Sequence, residues 1–218
     1  PLTVAFTDTS AGAPTSWAWD FGDGGTSTAQ SPSHTYTDPG SYTATLTATN
    51  AQGTDTTTRT ITVDPAPTEF TVTLEADTHV YSTSPNKNYG SHAFMKLHGD
   101  NAEYRPLLRF TLNGLSGPPS SVKLRMFVVD GSVNGGAWYP VANNWTESTV
   151  NWNTAPTVSG SPVATLGAVG VGSWIEVDLT SAITGNGTYS FMATSPSANS
   201  AEYSSNQGAN PPQVIVVA

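Results

Sequence analysis

The stretch RPLLRFTL, Arg105–Leu112, alternates apolar with basic or polar side chains from Leu108 onward. A period of two is the signature of a strand, and it places Leu108, Phe110 and Leu112 on one face, with Arg105, Leu107 and Arg109 on the other. The same period recurs in TVTLEADTHVYS, AFMKLHG, SVKLRMFVV, SWIEVDL, TYSFMAT and PPQVIVVA between Glu69 and Ala218. Only LTSAI, directly after Asp178, hints at a helical turn. So many strands in one stretch predict two packed sheets in a jelly-roll-like sandwich, an arrangement that hides most strand edges.

The segments LTVAFTD, SWAWDF, SYTATLTATN and TTTRTITV earlier in the chain alternate in the same way, separated by the turn clusters SAGAP, GDGG, SPSH and TDPG. They predict a second, smaller antiparallel sandwich. The two prolines of DPAPT, Asp64–Thr68, stiffen a segment of low apolar content between the two, which divides the chain into residues 1–65 and 66–218. Leu2, Val4 and Phe6 alternate from the first residues onward, so we expect a fragment of a longer chain.

Composition narrows the function classes. The 218 residues include no cysteine, which excludes disulfide frameworks and thiolate metal sites but not secretion. A net charge of −9, with only seven lysines and arginines, disfavours a general nucleic-acid binder, because a polyanion needs a positive field over its whole footprint. No apolar run approaches the roughly 18 residues of a spanning helix. There is no G-x-S-x-G elbow, no phosphate-cradling glycine loop and no cysteine nucleophile, so the expectation is a protein without catalysis.

Residues 17–25 read WAWDFGDGG, and SPSHTY and PGSYTATLTATN follow. This motif set resembles the PKD domain, the immunoglobulin-like module named after polycystic kidney disease protein, over residues 1–63. In bottom-up terms Trp19 and Phe21 anchor a core, Asp20 and Asp23 accept hydrogen bonds from turn amides beside Gly22, Gly24 and Gly25, and His34 is a packed or turn residue. Domains of that family begin with a strand before the segment corresponding to PLTV, so a neighbouring copy donating that strand is one expectation. The resemblance implies spacer or adhesion roles and no chemistry.

The later unit reads ADTHVYSTSPNKNYGSHAFMKLHGDNAEYRPLLRFTLNGL, WTESTVNWNTAP, SWIEVDLTSAI and EYSSNQGANPPQVIVV. It resembles the DNRLRE family of extracellular microbial β-sandwich domains, some members of which are alginate-binding carbohydrate modules. The fold expectation is therefore all-β, an immunoglobulin-like sandwich followed by a larger jelly-roll-like one.

Strand parity places Lys96, Arg105, Arg109, Lys123 and Arg125 outward, and if their strands share a sheet that sheet has a basic face. Guanidinium groups pair bidentately with carboxylates, and His98, Tyr104 and Phe94 can stack on sugar rings, so an acidic glycan such as alginate is the expected partner. A solvated face carrying charge without function is the alternative. Trp138 and Tyr139 in the glycine-rich NGGAWYP are the expected exposed platform for a neutral sugar, whereas Trp152 and Trp174 are expected to be buried. Glu75, Asp77 and Asp178 are the candidate ligands of a structural calcium, because jelly-roll modules similar to this one carry an early E-A-E/D motif and the chain has EAD at 75–77. The expected protein is an extracellular or cell-surface polysaccharide-binding fragment. A structural or filament-forming adhesion subunit that meets neighbouring copies is the second reading.

Overall fold

Alternation of threonine with apolar side chains produces six strands before the proline segment: β1 (Leu2–Ala5), β2 (Ser16–Asp20), β3 (Thr26–Ser27), β4 (Ser33–Tyr36), β5 (Gly40–Asn50) and β6 (Gly53–Val63). The computed structural model describes residues 1–218 and divides into two units, Pro1–Pro67 and Thr68–Ala218. In the first, β1 pairs with β4, and a second sheet has the order β3-β2-β5-β6. Trp19, Phe21, Tyr36, Leu46 and Val63 form its core, and the Phe6 ring sits 5.2 Å from those of both Trp19 and Phe21. SPSH is not wholly a turn, since Ser33 and His34 already belong to β4.

The aspartates of the GDGG region hold its turns. Asp20 accepts the Gly22 N–H and Asp23 the Gly25 N–H, each at 2.9 Å. Asp23 also shares a 2.7 Å hydrogen bond with His34 Nε2, which holds its carboxyl below the usual range, and the His34 ring stacks 4.0 Å from Phe21. Gly22 has φ +80°, and a Cβ there would lie 2.6 Å from the Thr43 carbonyl oxygen. Gly22→Ala is therefore expected to destabilise this unit by about 1–3 kcal/mol, read as a lower first transition in calorimetry of the whole chain.

The second unit contains β7 (Glu69–Thr73), β8 (Ala76–Tyr81), β9 (Phe94–Leu97), β10 (Tyr104–Leu112), β11 (Ser121–Asp130) and β12 (Gly136–Val141). After these come β13 (Ala164–Leu166), β14 (Trp174–Asp178), β15 (Gly187–Thr194), β16 (Ala201–Ser204) and β17 (Gln213–Val217), with a 3-10 turn at Thr180–Ala182 where LTSAI predicted one. They form two antiparallel sheets, β13-β12-β15-β10-β8 and β7-β17-β11-β16-β9, the second with β14 paired to β11. The expected parity holds: Leu108, Phe110 and Leu112 of β10 and Val122, Leu124, Met126 and Val128 of β11 are fully buried between the sheets. β7, read as one strand with β8, breaks from it at Leu74–Glu75 and joins the opposite sheet.

One layer was not expected. Residues 142–163 contain neither strand nor helix, yet they lay Trp145, Val150, Trp152 and Val158 over the outer face of the five-stranded sheet. There they meet Ala76, Val80, Leu107 and Met192 in a second apolar cluster. Leu107 has outward parity, as read, but is completely buried because this flap covers it. TVNWNT, read as strand-like, is part of the flap and makes turns instead.

Candidate functional site

Sheet membership decides whether the basic residues form one face. Arg105 and Arg109 belong to β10 in one sheet, whereas Lys123 and Arg125 of β11 and Lys96 of β9 belong to the other. The outer faces of two stacked sheets point away from each other, so the five side chains do not form a single basic face. The period of two reports which side a residue takes, not which sheet its strand joins.

Most of these cations also have acidic partners from neighbouring segments. Lys96 pairs with Glu202 at 3.4 Å, Arg109 with Glu75 at 3.5 Å and Lys123 with Glu176 at 2.8 Å, and Arg105 Nε donates to Glu103 at 2.8 Å. The hydrogen bond to Glu176 raises the pKa of Lys123. Arg125 has no carboxylate partner, and its guanidinium lies 4.7 Å from the Trp174 ring centre.

The two arginines of RPLLRFTL hold the flap. Arg109 Nη1 donates to the carbonyls of Trp145 at 2.8 Å and Asn143 at 3.3 Å, and its guanidinium lies 5.0 Å from the Trp145 ring centre. Trp145 is buried, and its Nε1–H donates to Ser190 Oγ at 2.9 Å. Arg105 lies 4.6 Å from the centre of the half-buried Trp152 ring. Together with Val80, Met192, Pro156 and Val158 they line a cleft of about 280 Å³ between sheet and flap.

Lys96, His98 and Tyr104 do come together, where β9 closes the sandwich against β10. The His98 and Tyr104 amides each donate to the other's carbonyl at 3.0 Å, which joins the two sheets. Tyr104 stacks on Tyr81 with ring centres 3.8 Å apart, as their direct pairing in the β8–β10 register requires. Lys96 Nζ sits 5.2 Å from the Tyr104 ring centre, and His98 Nδ1 shares a 3.1 Å hydrogen bond with Ser200 Oγ. Burial raises the pKa of Tyr104, so its phenol stays neutral. The site is thus a half-exposed aromatic pair beside a lysine, with Glu202 and Glu103 at its margins. Tyr81 was missed, although its alternation with His79 on β8 was the available signal.

Trp138 and Tyr139 are not an exposed platform. They lie in β12, and Trp138 has inward parity and no exposure, packing 6.2 Å from the Tyr203 ring. Gly135 and Gly136 suggested a loop, but Gly136 at φ +97° only turns the chain into the strand. Tyr139 is half-buried on the other side, opposite Met192. Trp174, expected to be buried, is 37% exposed beside Phe127.

The candidate calcium ligands do not converge. Glu75 faces Arg109, Asp77 is buried on β8, and Asp178 lies on β14 in the opposite sheet, where it accepts the Thr180 N–H at 2.9 Å. No group of three or more His, Cys, Asp or Glu side chains is placed to hold a metal ion. Calcium takes six to eight oxygens, so the three residues do not fit it as a set.

The larger unit is an all-β sandwich with an aromatic pair and a lysine at the seam between its sheets. The chain belongs to carbohydrate-binding module family 96, whose family model matches residues 66–218. Residues 1–65 match the PKD domain model. Family membership makes the larger unit a non-catalytic carbohydrate binder. A solved structure described as "Structural basis for the promiscuous specificity of the carbohydrate-binding modules from the beta-sandwich super family" is 18% identical, with 99% of this chain and 89% of that chain covered and a TM-score of 0.32. A likeness of that size carries no structural argument. No curated protein matches the chain.

Proposed function

We propose that residues 66–218 hold an acidic polysaccharide such as alginate along the Tyr81–Tyr104 seam, outside the cell or at its surface, without changing it chemically. The observation that carries this reading is Lys96 above the stacked tyrosine pair, with His98 beside it. Sugar rings stack on aromatic faces, and a nearby ammonium attracts a uronate carboxylate. Lys96 is engaged with Glu202, but both side chains are partly exposed. Such pairs are worth about 0–1 kcal/mol, so exchanging the glutamate for a sugar carboxylate costs little. Arg105, one residue on from Tyr104 and so on the other face of β10, is held by Glu103 at the Trp152 cleft, where a polysaccharide passing the edge of the sheet would meet it.

Titrating the 218-residue chain with alginate, a sulfated polysaccharide and a neutral glucan at several salt concentrations tests the reading. Acidic chains are expected to bind more tightly and to lose affinity as salt rises. Lys96→Ala and Tyr81→Ala are each expected to weaken alginate binding about tenfold. Lys123→Ala, on β11 and paired there with Glu176 away from the seam, is expected to leave it unchanged. Equal binding of the neutral glucan, or a larger loss from Lys123→Ala than from Lys96→Ala, overturns the acidic-glycan reading.

A further inference from the structure

Val122, Leu124, Met126 and Val128 of β11 point into the sandwich, so Lys123, Arg125 and Phe127 lie on the outer face of the six-stranded sheet. Register places Arg125 between Glu176 of β14 and Gln213 of β17, and Lys123 opposite Asp178. Trp174, at the start of β14, stands opposite Phe127 and diagonal to Arg125. The Phe127 ring meets the indole at 5.5 Å and 71°, and the Arg125 guanidinium lies 4.7 Å from the centre of the same ring. These two contacts hold the indole in place, yet Trp174 keeps 37% of its surface exposed. A lone exposed apolar residue is ordinary on a protein surface. An indole fixed on both sides beside unused hydrogen-bonding groups is a preformed platform.

Those groups are free for a local reason. Lys123 donates to Glu176 at 2.8 Å, which engages that carboxylate although it stands directly opposite Arg125. The Arg125 guanidinium, the Gln213 amide and the Trp174 Nε1–H make no hydrogen bond within the chain. Neighbouring strands lie about 4.8 Å apart, so indole, guanidinium and amide together cover about 10 Å from β14 to β17, the length of an extended disaccharide. Charge decides which saccharide fits. Arg125 and Lys123 stand opposite Glu176 and Asp178, and this balance leaves no net positive field to draw a polyanion. A uronate on Arg125 would meet both carboxylates, whereas a neutral sugar would not be repelled. The seam is a separate place: β11 and β16 separate β14 from β9, about 14 Å in all, with the acidic residues Asp130 and Glu202 paired between them.

We propose that Trp174, Arg125 and Gln213 form a second saccharide site on the larger unit, one that takes a neutral pyranose chain lying across β14, β11 and β17. The C–H face of one pyranose ring stacks on the indole, whose ring is apolar in body and carries a polar edge. Adjacent hydroxyls of the next ring accept from Arg125, whose fork of N–H groups suits paired acceptors. Gln213 offers an amide donor and a carbonyl acceptor to hydroxyls that both donate and accept. Trp138, whose glycine-rich surroundings suggested such a platform, is buried, and Trp174 takes the place at the surface. With the seam holding an acidic chain, one molecule joins neutral and acidic polysaccharides of the same matrix. Only that joining rests on the acidic-glycan reading; the Trp174 site stands without it.

Titration calorimetry of the full chain with cellohexaose and with mannohexaose tests the site. At least one of the two is expected to bind, about tenfold or more weakly than alginate, and with an affinity that salt does not change, since no ion pair contributes. Trp174→Ala is expected to weaken that binding about tenfold or more, and Gln213→Ala, which has no hydrogen bond of its own to lose, about threefold. Both variants are expected to unfold at the denaturant concentration of the parent and to bind alginate as it does. Lys96→Ala is expected to leave neutral binding unchanged. Failure of both oligosaccharides to bind overturns the proposal, and so does binding by Trp174→Ala and Gln213→Ala that matches the parent. Neutral binding lost in Lys96→Ala as fully as in Trp174→Ala puts both sugars at the seam and overturns it too. Neutral binding that depends on Trp174, in a chain that does not bind alginate, upholds this site and refutes the seam reading alone.

Discussion

Above pH 7, Asp77→Asn is expected to be more stable than the parent chain by about 4 kcal/mol, with the difference vanishing below about pH 4. Asp77 lies inside the sandwich with 1% of its surface exposed. Its Oδ2 accepts the Asn206 N–H at 2.7 Å, while Oδ1 is buried without a partner. Burial, reinforced by the negative field of Glu147, pushes its pKa from 3.8 up to about 7. Because the folded-state pKa is raised, the folded protein keeps a proton between those values that the unfolded chain has lost. Stability from this group is therefore full below the unfolded pKa and is lost as pH rises through about 7. The displacement from 3.8 to about 7 corresponds to about 4 kcal/mol. Asparagine keeps an oxygen for Asn206 and has no charge to desolvate, so the variant escapes this loss.

His79, two residues along the same inward face, has the opposite sign. Burial first, then the neighbouring His92, lowers its pKa from 6.5 to about 3. A buried neutral histidine contributes stability that grows as pH rises through that interval. In the parent the two trends oppose each other between about pH 4 and 6.5. Asp77→Asn leaves the His79 trend alone, so the stability of the variant is expected to climb with pH where that of the parent is nearly flat. Denaturant unfolding at pH 4, 5.5 and 7.5, following the transition of the larger unit, checks this. A difference between variant and parent that does not grow with pH refutes the argument.

Much of the fold was legible because alternation is a local property. Leu108, Phe110 and Leu112 on one strand, and Leu124 and Met126 on another, are inward wherever their strands end up. The assignment of β10 and β11 to different sheets depends on contacts far apart in sequence, which a period of two does not encode. The basic face dissolved for that reason, and because Glu75, Glu103, Glu176 and Glu202 come from outside the strands being read or from their ends. Trp138 was misplaced because two glycines before it suggested a loop, although Trp138 and Pro140 alternate with Ala137, Tyr139 and Val141 as a strand does. The flap left one trace: Leu107, an apolar residue between two arginines on an outward row, signals a face that something covers.

Trp145→Ala is expected to destabilise the larger unit by about 3–5 kcal/mol, the range for removing a large aromatic side chain from a packed site. Trp145 is the centre of the cluster that fastens the flap to the sheet, against Ala76, Leu107 and Met192. Its loss also leaves Ser190 Oγ without the indole donor and removes the ring beneath the Arg109 guanidinium. Limited proteolysis is expected to cut within residues 142–163 in the variant before it cuts elsewhere, whereas the parent resists there. The two proposed binding elements are expected to respond differently. The Arg105–Trp152 cleft needs the flap as one wall, but Lys96, Tyr81 and Tyr104 belong to β8, β9 and β10 and need only the sheets. Alginate binding at low temperature, where the variant stays folded, is therefore expected to fall within about threefold of the parent value, since removing a cleft that only extends the contact forfeits less than one good hydrogen bond. Loss comparable to that of Lys96→Ala would move the main binding site from the seam to the cleft.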